Sequence, residues 1–335
     1  MPTKTGAKII AGLVFFVMLS SMALGFALNQ PGFWADISLR LLKRYSPALV
    51  VFKEVDIQGI HWSSWQKLTL ENVRVRCELD RVSYSFSTGQ VAVDNLGALV
   101  GLGALSVNIK DLAVVSGVLN ISDVQGLVKL YFNRFHYRYS AGHLAGRQIE
   151  FSQYLVRDFQ GDFEDNGHRI KFSNAQGRFY GGDIVLKGLV KYFQHLSYDI
   201  HIQLDHVDSS LMARANPAFA QLTAVVEGTI QVEDFTSRGL SIQANLQAPL
   251  GGRIKASLLR YLAQYVPQRG QIEDLIHQDA NVMLDKIQVK VTSLNQEKLS
   301  SDIILNSSSL NLNVNMKFDI HVEGGLDHLL EYMRQ

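Results

Sequence analysis

The stretch Leu310-Asn311-Leu312-Asn313-Val314-Asn315-Met316-Lys317-Phe318-Asp319-Ile320-His321-Val322 decides how this chain is read. Seven apolar residues alternate there without a miss with three asparagines, a lysine, an aspartate and a histidine. Successive side chains on a strand point to opposite faces, so the pattern describes a strand with one apolar face and one wet face. Its thirteen residues would extend about 44 Å, where a strand of about 5–6 residues is usual.

Working outward, a period of two dominates from Val55 onward. It recurs in Val82-Tyr84-Phe86, Leu105-Val107-Ile109, Leu196-Tyr198-Ile200-Ile202-Leu204 and Leu240-Ile242-Ala244-Leu246. Short turn sequences such as Asp165-Asn166-Gly167 separate the runs. Read this way, the chain holds on the order of 18 strands in an antiparallel meander with one apolar face. The fold class is therefore mainly β. Two arrangements satisfy the pattern: an elongated open groove, or a sandwich or sheet covered by the chain's few helical segments.

Those segments stand out by their different period. Leu258, Leu262 and Val266 lie at helical spacing before Pro267, and Ile272, Leu275 and Ile276 come after it, which predicts a helical hairpin over 257–279. A short helical turn is expected at Ser209–Ala215, before Pro217. Leu326, Leu329, Leu330 and Met333 form an apolar stripe on a terminal helix after Gly324-Gly325. A weak internal repeat is also visible. Gly181-Gly182 and Gly251-Gly252 each open a strand, 70 residues apart, and such pairs are expected where a strand bends or bulges.

The N-terminus sets the compartment. No charge occurs between Lys8 and Asp36, and Ile9–Leu28 is a nearly continuous apolar run of twenty residues, about 30 Å as a helix and enough to cross a bilayer core. Lys4 and Lys8 keep the N-terminus cytoplasmic and export the rest. The alternative is a signal peptide cut near Gly25-Phe26-Ala27, but the run is long for a signal, which favours an uncleaved anchor. The expected plan is a cytoplasmic stub (1–8), a transmembrane anchor (9–28), a juxtamembrane amphipathic segment (29–52) and an exported β-domain (53–335). Within 29–52, Phe33-Trp34 and Ile37/Leu41 with Arg40, Lys43 and Arg44 suit either the outer headgroup layer or the first packed helix of the domain.

Composition narrows the function classes. Lys+Arg 32 against Asp+Glu 31 gives a formal net charge of +1, which lacks the basic stripe that a nucleic-acid backbone requires. A single cysteine, Cys77, allows neither an intramolecular disulfide nor a CxxC pair. No GxSxG, HExxH or P-loop occurs, and the cluster Gly97, Gly101, Gly103 leads into a strand instead of a helix. Asp205, His206 and Asp208 form the most metal-like grouping, although Asp208 is also placed to cap the Ser209 turn, which is the commoner role. Glu273-Asp274 with His277 and Asp279 read as the solvated face of a helix, and His201 as an outward strand residue. The expectation is a non-enzyme without cofactor or metal.

Several runs resemble a known family. The run Gly177-Arg178-Phe179-Tyr180-Gly181-Gly182-Asp183-Ile184, then Lys187-Gly188, looks like an element that recurs in AsmA-like envelope proteins. Leu204–Leu211, Val226–Ile230 and the closing strand Leu310–Val322 are similar to the segments that come after that element in those proteins, most of all in YdbH-type members. The resemblance implies an inner-membrane, single-pass protein whose periplasmic bulk is a β-groove conducting phospholipid toward the outer membrane. It implies that Leu284, Ile287, Val289, Val291, Leu310, Leu312, Val314, Met316, Phe318, Ile320 and Val322 line that groove. It also leaves room for a small outer-membrane or periplasmic partner at the C-terminal end. An assembly factor that binds another envelope protein by its sheet edge, without a lipid path, is the competing expectation. Eighteen strands would make a groove of about 90 Å, too short to span an envelope alone.

Overall fold

In this computed structural model, residues 29–321 are described, apart from 46–49, 65, 80–81, 101–102, 118, 134–135, 192–196, 236–238 and 261–268. The stub and anchor expected at 1–28, the hairpin positions Leu262, Val266 and Pro267, Val322 and the terminal helix expected at 326–333 lie outside the described residues. Among the described residues, no helix is long and apolar enough to cross a membrane.

The described residues open with helix α1 (Pro31–Tyr45) and then run almost wholly as strand. β1 (Val50–Asp56), β2 (Gly59–Ser64), β3 (Lys67–Leu79), β4 (Val82–Asp94) and β5 (Ala104–Val115) come first. β6 (Leu119–Asn133), β7 (His136–Phe151), β8 (Tyr154–Asp165), β9 (Arg169–Phe179) and β10 (Gly182–Lys191) make the middle. β11 (Ser197–Asp208) leads into the one-turn helix α2 (Ser209–Met212) and a 3-10 turn, Pro217–Gln221. β12 (Leu222–Phe235), β13 (Gly239–Ala248) and β14 (Gly252–Lys255) follow. A helical insert, whose described parts are the 3-10 turn Ala256–Leu259 and α3 (Arg269–His277), interrupts the strands. β15 (Asn281–Leu284), β16 (Lys286–Asn295), β17 (Lys298–Ser307) and β18 (Leu312–His321) finish the described chain.

All eighteen strands belong to one antiparallel sheet. From β2 to β13 each strand pairs with the next in sequence. Beyond β13 the order continues through β16 and β17 to β18. Three rows hold two strands each. β1 and β2 share one flank of β3, β13 and β14 share one flank of β12, and β15 and β16 lie beyond those. The eighteen strands therefore occupy fifteen rows, and the sheet measures about 70 Å across its rows instead of about 90 Å.

Local chemistry sets the breaks. The hairpin between β9 and β10 turns on Tyr180 and Gly181, both at positive φ (44° and 85°), with Phe179 opposite Gly182. That is the geometry that favours a two-residue hairpin, so Gly181 stands in a turn and not inside a strand. Gly251 (φ 71°) does something else. Its N–H donates to the Ala248 carbonyl (3.0 Å), making an excursion that lets β13 and β14 continue along the same partner.

The closing strand is shorter than its alternation suggests. Asn311 takes a left-handed conformation (φ 45°) and donates to the Ser308 carbonyl (3.2 Å). Asp285 Oδ2 accepts from the Ser308 N–H and hydroxyl, at 2.5 and 2.6 Å. These donors hold the Asp285 carboxyl below its ordinary pKa. A tight reversal is thus built from Ser308 to Asn311, Leu310 sits in it, and β18 keeps ten residues. The longest strand is instead β7, with sixteen. Likewise the sheet begins at Val50, inside the segment expected to be juxtamembrane.

Cover over the apolar face comes in separate pieces. α1 packs on β1 and places the Trp34 ring 5.8 Å from the Trp62 ring at the N-terminal edge. The helical insert drives Leu259 (1% exposed) and Ile272 (0%) onto Ile254, Val282, Leu284, Leu305, Leu312 and Val314. This is the main fully buried core.

Three substitutions test this packing. Ile272→Ala empties the centre of the insert and is expected to cost about 2–5 kcal/mol in a urea melt. Gly228→Ala is expected to lower the melting temperature as well, because φ is 147° and a Cβ would lie 2.1 Å from the Asn245 carbonyl oxygen. Gly117→Ala, with nothing within 4 Å, should leave it unchanged; equal shifts for both glycines would refute the register.

Candidate functional site

The register lines up apolar side chains from strand to strand. Leu186, Ile202, Ile230, Ala244 and Val291 stand side by side on β10, β11, β12, β13 and β16. Ile184, Leu204, Gly228, Leu246 and Val289 form the adjacent rank. One residue along, Lys187, His201, Gln231, Gln243 and Thr292 form the opposite, wet face. One face of this part of the sheet is therefore a continuous apolar floor.

A short lid crosses that floor. Asp208 caps α2 by accepting from the Ser210 N–H (2.9 Å) and hydroxyl (2.7 Å). Ser209 is 2% exposed; its hydroxyl donates to the Leu222 carbonyl (2.8 Å) and accepts from the Ala224 N–H (2.9 Å). These bonds fix α2 to β12, and Met212 and Phe219 roof a cavity of about 380 Å³. Its floor includes Ile184, Ile202, Leu204, Val226, Ile230, Leu246, Ile287 and Val289, with Tyr154 and Phe179 at one end. Among the described residues no carboxylate, amine or imidazole lines it. Of its two polar side chains apart from Tyr154, Ser209 is bonded as above and Gln247 donates to Glu227 Oε1 (2.9 Å). A cavity of this size and lining suits hydrocarbon.

The residues expected to line a groove fall into four groups. Ile287 and Val289 do line the cavity. Leu284, Leu312 and Val314 lie in the core beneath the helical insert, with Leu310 and Met316 packed against its margin. Val291 packs beside Leu240 and Leu299. Phe318 and Ile320 are 39% and 44% exposed near the free edge. The chain's own insert thus occupies much of the face where cargo was expected. Met212, Phe219 and the start of β12 were not anticipated as lining. The alternation of Leu222, Ala224 and Val226 next to a predicted helical turn was the available signal.

The titratable groups offer no acid–base pair at the cavity. Burial pushes up the Cys77 thiol, and burial also raises Tyr180, whose hydroxyl donates to the Gln153 carbonyl (3.3 Å). Asp208 serves as the helix cap, while Asp205 and His206 sit just before it on β11.

No family model, no curated protein and no solved structure matches this chain. The geometry of the site itself therefore carries its functional reading.

A charge placed on the floor is costly when it has no partner. Ile202→Asp is expected to destabilise the protein by about 1–3 kcal/mol in chemical denaturation, whereas Gln203→Asp, one residue along on the wet face, should change it little. Equal effects would mean that the face is not one-sided.

Proposed function

We propose that this protein is an envelope lipid-handling protein that holds hydrocarbon chains of phospholipid against its apolar sheet face. The observation that carries the reading is the roofed, almost wholly apolar cavity over β8–β16, beneath the lid that Ser209 fixes to β12. Among the described residues no carboxylate, amine or imidazole lines the cavity, which supports a reading of binding and transfer. The apolar run at 9–28 supports an inner-membrane anchor with the sheet on the exported side. The resemblance of Gly177–Ile184 and Leu204–Leu211 to AsmA-like envelope proteins supports the same assignment. A width of about 70 Å favours passing lipid on over spanning the envelope.

A second reading rests on the sheet edge. Among the described residues β18 pairs on one side alone, with β17, and Phe318 and Ile320 are exposed beside that edge. Such an edge can accept a strand from a small envelope protein.

Lipid extraction and mass spectrometry of the full chain purified in mild detergent test the main reading. Phospholipid is expected in stoichiometric amounts, and Leu246→Trp, which fills the cavity, should reduce it without unfolding the protein. A lipid-free wild type, or lipid content indifferent to Leu246→Trp, would sink the proposal. Lysines at Phe318 and Ile320 should leave lipid content intact while abolishing any partner that adds to β18.

A further inference from the structure

The geometry points to a divalent transition-metal site, of the kind that takes Zn²⁺, formed by Asp205, His206 and Glu227 at the root of the lid. On a regular strand, neighbouring residues face opposite ways, so Asp205 and His206 could not act together. β11 is not regular here. Leu204 lies opposite Gly228 and Val207 opposite Val226, so two residues, Asp205 and His206, face the single residue Glu227. A bulge of this kind turns both side chains toward one side. His206 carries the bend at φ 53°.

The result is a convergent donor set from two strands. One imidazole nitrogen and two carboxylate oxygens lie within 4.8 Å of one another. His206 Nδ1 is 2.7 Å from Asp205 Oδ1, and Glu227 Oε1 is kept in place by Gln247 at 2.9 Å. One nitrogen with two carboxylates suits Zn²⁺ and its neighbours in the first transition row, whereas Ca²⁺ and Mg²⁺ prefer all-oxygen shells. Arg178, two strands away on β9, is engaged by Asp183 at 2.9 Å, and Asp183 is the residue opposite Asp205 on β10. Solvent exposure of Asp205 and His206 leaves coordination positions for water.

The location gives the ion a role. Asp208, two residues beyond His206, caps α2, and Glu227 neighbours Val226 in the cavity wall. An ion bound here clamps β11 to β12 where the lid departs from the sheet. Its binding is independent of whether the cavity takes lipid, and is measured separately.

The experiment is isothermal titration of Zn²⁺ alone into the untagged full chain in detergent. One site per chain is expected. His206→Ala and, separately, Glu227→Gln should each weaken it by roughly tenfold to a hundredfold, the loss seen when even the outer partners of a metal are removed. His143→Ala removes another histidine paired with a carboxylate, Asp162, at 2.8 Å, and should leave the site intact. Absence of a stoichiometric site overturns the proposal. So does a site that survives both His206→Ala and Glu227→Gln, or one that His143→Ala removes equally. Glu227→Gln keeps the size of the side chain, so its result stands even if His206→Ala disturbs the bulge.

Discussion

A sheet of fifteen rows with one apolar face cannot leave that face to water, and the rest of the structure depends on this constraint. Burial of apolar area is the main favourable contribution to folding, yet a single layer of strands buries only the surface that something else covers. Among the described residues the cover includes α1 at the N-terminal edge, the 3-10 turn Leu96–Val100 packed on β5 and β6 with Ala98 buried, the lid of α2 and the Pro217–Gln221 turn, and the insert with Leu259 and Ile272. Between the pieces the floor stays half-buried. The cavity lies beneath the lid, between Met212 and Phe219 and the strands.

The wet face has a different task. Lys53–Glu78, Arg76–Glu54 and Lys67–Asp94 join neighbouring strands at 3.0 to 3.3 Å, all substantially exposed. Exposed pairs of this kind stabilise little. They do oppose a slip of one residue, which would turn the apolar face outward. On the apolar side the glycines of β7 serve close packing: a Cβ at Gly146 or Gly142 would meet the rings of Phe159 and Phe163. Aromatic rings lie over the bare backbone there and fill the space the missing side chains leave.

Strict alternation made the mainly β, one-faced sheet legible in the sequence, and the Asp165-Asn166-Gly167 turn, the capping Asp208 and the helical character near 209 and 272 could be read with it. The features that stayed hidden depended on register. Nothing in the order of residues shows that β13 and β14 continue one row, which shortens the sheet. Strand residues at positive φ, among them Asp111, Asp123, Asp158 and Asn174, shift the alternation by a step at ladder irregularities. Asp and Asn adopt that conformation more readily than most residues, so an Asp or Asn where the period slips was the signal to look for. The burial of Leu312 and Val314 beneath Ile272 was hidden for another reason. An apolar stripe states that a face will be covered, but not by what. Glu227 likewise joins Asp205 and His206 only across the ladder.

The order of the rows bears on how such a chain comes into being. Most ladders join strands that are consecutive along the chain, so each row needs only its predecessor as a template. Contacts between sequence neighbours close with less loss of chain entropy than distant ones. A polypeptide emerging N-terminus first can therefore add rows as it appears, each new hairpin docking on a finished edge, in the manner of a growing array of repeats. Three ladders skip a strand: β1–β3, β12–β14 and β13–β16. The widest gap is the last, because β16 must wait for the insert and β15 before it can reach β13. Assembly slows most at that junction.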